Sequence, residues 1–63
     1  MFKKIKNSAG ADAVTFQDSE GRDCRVDFFG DAGCQMDIGD GYAVFDADEA
    51  VKFAEMLIKR LGD

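Results

Sequence analysis

Two hydrophobic periods divide this chain, and the change from one to the other falls at Asp46. Before it, apolar side chains recur at every second position: Val14 and Phe16, then Cys24, Val26 and Phe28, then Cys34, Met36 and Ile38. Such alternation marks a strand with one buried face. From Ala50 onward, Phe53, Ala54, Leu57, Ile58 and Leu61 fall at helical spacing instead, the apolar stripe of an amphipathic helix. Strands followed by a single C-terminal helix are therefore expected.

The first strand is predicted near Ala11 to Gln17, the second near Arg22 to Phe29 and the third near Cys34 to Ile38, with Tyr42 to Phe45 as a short fourth. Ser19-Glu20-Gly21 reads as a three-residue hairpin loop with Gly21 at the left-handed position. That loop opposes Asp18 with Arg22, Phe16 with Cys24 and Val14 with Val26, so each pair shares a face. Gly30-Asp31-Ala32-Gly33 leaves two registers open, with Phe28 opposite either Cys34 or Met36. In both, the two cysteines share a face but not a rung. Their separation of about 13–20 Å exceeds the Cα limit near 7 Å for a disulfide, so free thiols are expected. Asp40-Gly41 signals the next turn.

The helix start is the clearest local signal. In Asp46-Ala47-Asp48-Glu49 an N-cap carboxylate stands three residues before a Glu, a capping box headed by Asp. Phe45 is placed to pack on Ala50 as a hydrophobic staple, Lys59 and Arg60 suit the negative end of the dipole, and Gly62 is the stop. The expected fold is α+β: a three- or four-stranded antiparallel β-meander with one C-terminal α-helix packed on one face (βββα or ββββα). It makes one small domain over residues 1–63, in which residues 1–10 either add an edge strand or stay mobile.

A 63-residue chain buries only about 60% of its unfolded surface, and such domains lean on disulfides, metals or a second copy. Six phenylalanines and 46% hydrophobic residues are enough for folding. No apolar run approaches the roughly 20 residues of a membrane helix, and Met-Phe-Lys-Lys-Ile-Lys lacks the apolar core of a secretory signal. With free cysteines, a cytoplasmic setting is expected. The chain has no histidine, which removes Ser-His and Cys-His pairs and imidazole ligands. Cys24 and Cys34 are ten apart and read as small buried hydrophobes. A calcium loop counted from Asp37 puts Tyr42 where a Gly is required and Asp48 where a Glu is required. No metal is expected at Asp37, Asp40, Asp46 and Asp48. The Gly39-Asp40-Gly41 and Gly30–Gly33 segments lack the glycine run and Lys of a phosphate loop. Catalytic residues, cofactors and metal ligands are accordingly not expected.

Charge points elsewhere. Residues 7–51 carry eleven carboxylates against Arg22 and Arg25, giving −9, between a +3 start (Lys3, Lys4, Lys6) and a +1 end. A field of this sign favours cationic partners and opposes phosphate backbones and anionic lipid. On the outward sheet face Asp23, Asp27 and Asp37 surround Arg25, with Phe29 at one end. Same-face neighbours about 6–7 Å apart match the spacing of phosphates along one DNA strand. Asp23, Asp27, Asp31, Asp37 and Asp40 are thus the candidate partner-binding charges, with Phe29 and Tyr42 as apolar anchors. Met56, Phe2 and Tyr42 have no evident burial site, which points to a homodimer through helices or edge strands.

In size and charge the chain resembles phage-encoded inhibitors, including anti-CRISPR proteins, that obstruct basic channels of nucleic-acid-handling machines. The resemblance implies a non-enzymatic module for a protein with a basic surface. The order of elements is also similar to the single-stranded-DNA-binding transcriptional coactivator fold. Here the basic, aromatic-bearing strand face of such binders is missing, and direct nucleic-acid binding is not expected. Two alternatives stay open: a homodimeric regulatory or structural protein whose acidity serves solubility, and a single-strand binder using Lys3, Lys4, Lys6 and Arg25.

Overall fold

A computed structural model describes residues 1–62. Five strands run in sequence, β1 (Lys3–Lys6), β2 (Asp12–Gln17), β3 (Asp23–Phe28), β4 (Cys34–Ile38) and β5 (Gly41–Phe45), followed by the helix α1 (Ala47–Leu61). All neighbours are antiparallel and spatial order follows chain order, so the sheet is an unbroken meander. The α+β class holds, but the expected three or four strands become five. The added strand is β1, where three lysines surround Ile5. Lysines on an outer strand discourage pairing with another chain.

The hairpin registers follow turn chemistry. Asp18 closes on Arg22, Phe16 faces Cys24 and Val14 faces Val26, with Gly21 at φ +81°. The second hairpin takes the first of its two options, with Phe28 opposite Cys34 and Cys24 opposite Ile38. A 3₁₀ turn at Gly30–Ala32 fills that connection. Gly39, φ +56°, leads the two-residue turn into β5, the position where a II′ hairpin turn needs glycine.

These registers sort the side chains into two faces. Val14, Val26, Met36 and Ala43 form one apolar rung that ends in Lys4 at the β1 border, flanked by Phe16, Cys24 and Ile38 on one side and by Phe28, Cys34 and Phe45 on the other, with Lys6 and Asp12 on this face at the same border. The opposite face carries the rung Lys3, Thr15, Arg25, Asp37 and Tyr42, and beside it Ile5, Ala13, Asp27, Gln35 and Val44. Cys24 and Cys34 are free thiols on the apolar face, four residues out of step and so about 13 Å apart along the strands.

The expected packing of α1 on one sheet face is not what the chain does. Its cap is as read from the sequence: Asp46 accepts from the Glu49 backbone N–H at 2.7 Å, and the Asp46 N–H donates to Glu49 Oε1 at 3.1 Å. Asp46 is also the only residue between β5 and α1, fewer than the two to six that strand-to-helix connections normally use to turn back over a sheet. The helix therefore leaves from the end of the sheet, touching β5 and the 3₁₀ turn. Its one aromatic anchor is Phe53, stacked on Phe45 at 5.7 Å between ring centroids; Phe53 thus joins Phe45 at the position expected for Ala50. Beyond that contact Leu57, Ile58 and Leu61 face solvent, the last two 70% and 79% exposed. The radius of gyration, 12.3 Å, exceeds the roughly 10.6 Å of a compact chain this long. Among the described residues the buried apolar side chains are only Ala13, Cys24 and Cys34.

Gly33 locks this junction. Its φ is +102° and ψ −142°, a region closed to side chains, and a Cβ there would lie 1.9 Å from the Phe45 carbonyl oxygen. Gly33→Ala should cost at least about 2 kcal/mol from overpacking and backbone strain together. Gly10→Ala, at φ +83° but in open space, should cost about 1–2 kcal/mol from backbone strain alone. Urea unfolding of the two variants side by side checks the order.

Candidate protein-binding surface

The polar face is organised around Arg25. Its rung partner across β4 is Asp37, and Asp23 and Asp27 lie two residues away on its own strand. The guanidinium turns to Asp27: Nε donates to Oδ2 at 3.0 Å and to Oδ1 at 3.2 Å, and Nη2 donates to Oδ1 at 3.0 Å. Asn7 Nδ2 reaches the same carboxylate from the β1–β2 loop at 3.4 Å. The Asp27 side chain is left 14% exposed. Asn7 also ties down its own loop, its Oδ1 accepting from the Ala9 and Ala11 backbone N–H groups at 2.9 Å.

The remaining pairs are local. Asp18 accepts from Arg22 Nε at 2.6 Å and from the Glu20 and Arg22 backbone N–H groups, while Lys6 bonds Asp12. Gln35 Nε2 donates to Asp37 at 3.0 Å, and Gln17 Nε2 to Asp23 at 3.2 Å. Both arginines of the acidic segment are thus held by its own carboxylates. Asp23 and Asp37 hold amide donors, and among the described residues no cation lies within 4 Å of Asp31, Asp40 or Asp48.

The seven candidate residues separate into two groups. Asp37 and Tyr42 face each other directly across β4 and β5, Asp40 sits in the turn joining those strands, and Asp23 is the diagonal neighbour of Asp37. Their corner of the sheet is acidic, with the Tyr42 ring 70% exposed. Phe29 and Asp31 lie at the opposite end of β3 and β4, in the 3₁₀ connection, and Asp27 is engaged by Arg25 between the two groups. Sequence reasoning noticed Arg25 among the aspartates. It missed Asn7, whose signal is only an Asn opening a Ser-Ala-Gly loop.

An open, shallow hollow of about 550 Å³ is lined by Lys4, Ile5, Asp12, Ala13, Val14 and Phe28. No three Asp, Glu or Cys side chains gather to hold a metal ion among the described residues. Among the described residues no helix is long and apolar enough to cross a membrane. Comparisons with protein-family models, curated proteins and solved structures give no significant match.

Three carboxyls are held below their usual range. For Asp27 the hydrogen bonds from Arg25 are the main cause, helped by Asn7 and opposed by partial burial. For Asp18 the leading cause is the Arg22 backbone N–H, and for Asp12 the hydrogen bond from Lys6. A depressed folded-state value means the unfolded chain binds more protons as pH falls. The stability these groups supply is therefore full above the ordinary carboxyl range, near pH 4, and is lost as pH drops through the depressed values. Thermal unfolding should show a midpoint that falls between about pH 6 and about pH 3. Asp27→Asn should lower the midpoint at neutral pH and flatten that fall.

Proposed function

We propose that this chain is a non-enzymatic protein-binding module of the inhibitor, nucleic-acid-mimic type, which engages a basic surface on a nucleic-acid-handling partner. One observation carries the reading. The acidic segment's only two arginines are paired with Asp18 and Asp27, so the negative charge around Asp23, Asp37 and Asp40 stays available to an outside cation. Strand geometry spaces Asp23 and Asp37 about 7–8 Å apart on the diagonal, close to the interval of backbone phosphates. Tyr42 beside them supplies the rigid amphipathic anchor that protein interfaces favour. Phe29 and Asp31 offer a smaller second contact at the other end of the sheet.

The lysines that could serve a single-strand binder lie on the edge strand β1, and Lys6 is already bonded to Asp12. Arg25 is held by Asp27, which leaves that reading Lys3 and Lys4 on the edge strand.

The test is affinity capture from a cell extract, wild type beside a variant with Asp23→Lys, Asp37→Lys and Asp40→Lys. The expected result is a nucleic-acid-binding protein retained by the wild type, weakened at least about tenfold by the variant and released as salt rises. Recovery of the same proteins at equal yield by both would refute the reading, and an electrophoretic shift with oligonucleotides would favour the single-strand binder.

A further inference from the structure

We propose that the chain works as a homodimer in which α1 of each copy lies across the apolar sheet face of the other. The inference does not depend on the acidic surface; it starts from two unpartnered apolar surfaces on one chain. The sheet face presents Val14, Val26 and Met36, half-buried at its middle, with Phe28 and Ile38 more than 40% exposed. The helix presents Leu57, Ile58 and Leu61. They cannot meet within one copy, because Asp46 alone separates β5 from α1 and Gly33 packs under that join.

The two surfaces fit each other. A 15-residue helix is about 22 Å long, and five strands span about 19 Å across the sheet.

Surface area sets the scale. The chain exposes 5228 Å², while a compact protein of 6.9 kDa exposes about 4,000 Å². The surplus of roughly 1,200 Å² per copy means about 2,400 Å² hidden in a pair, the size of an obligate homodimer interface. Burying it would give each thin sheet the second layer that domains are built from.

Sedimentation equilibrium of the full chain at micromolar concentration should return twice 6.9 kDa; a single-chain mass up to about 100-fold higher concentration would overturn the proposal. Pairing is read by NMR on a sample refolded from equal parts isotope-labelled and unlabelled chain, filtered for contacts between copies. Contacts from Leu57, Ile58 and Leu61 to Val14, Val26 and Met36 are expected. Contacts only between helices, or only along β5, would overturn the arrangement even if the mass is doubled. Ile58→Asp, at a position exposed on its own chain, should weaken the dimer at least about tenfold, as a buried charge does. An unchanged dissociation constant would count against it. Should that variant fail to fold, the wild-type contacts still decide.

Discussion

One residue, Asp46, stands between the last strand and the helix, and most of the architecture follows from that shortness. As N-cap it must hold extended backbone, φ −73° and ψ 172°, while its side chain and Glu49 complete the box that starts α1. A residue so engaged has no freedom left to reverse the chain. The helix is launched from the end of β5, Phe53 settles on Phe45, and the greasy side of the sheet keeps its exposure. The close approach of Gly33 to Phe45 and Asp46 makes this exit angle a property of the β3–β4 connection too. Two segments far apart in sequence thus set one angle.

Much of the strand plan was legible. Alternation located β2, β3 and β4 to within a residue, and parity plus the Ser19-Glu20-Gly21 loop gave the first register, because a one-residue slip would turn every apolar side chain to the wrong face. The capping box is purely local and was equally clear. β1 was left open because Lys3, Lys4 and Lys6 carry no hydrophobic rhythm; its place depends on the Asn7 turn and on pairing with β2. The helix stripe announced a buried surface but could not say against what. Periodicity records that a face is apolar, while connection length decides whether it can reach its own sheet.

The polar side was readable in identity more than in arrangement. Spacing put Asp23, Asp27 and Asp37 on one face with Arg25, yet only coordinates show that Arg25 takes Asp27 with two nitrogens and leaves Asp37 to Gln35. The three aspartates are thus unequal: Asp27 is structural glue for the β1–β2 loop, whereas Asp23 and Asp37 sit with Asp40 and Tyr42 at a corner. Acidity and architecture are separable, since the carboxylates that brace the sheet differ from those available to a partner.

The sheet's two borders differ in kind. The β1 side is fringed by lysines, and the β5 side bears no charge between Gly41 and Phe45. Any ribbon joined border to border could add a neighbour on the bare side only, and after one such joining both outer margins would be lysine-bearing. Lysines on both outer margins would discourage growth beyond a pair.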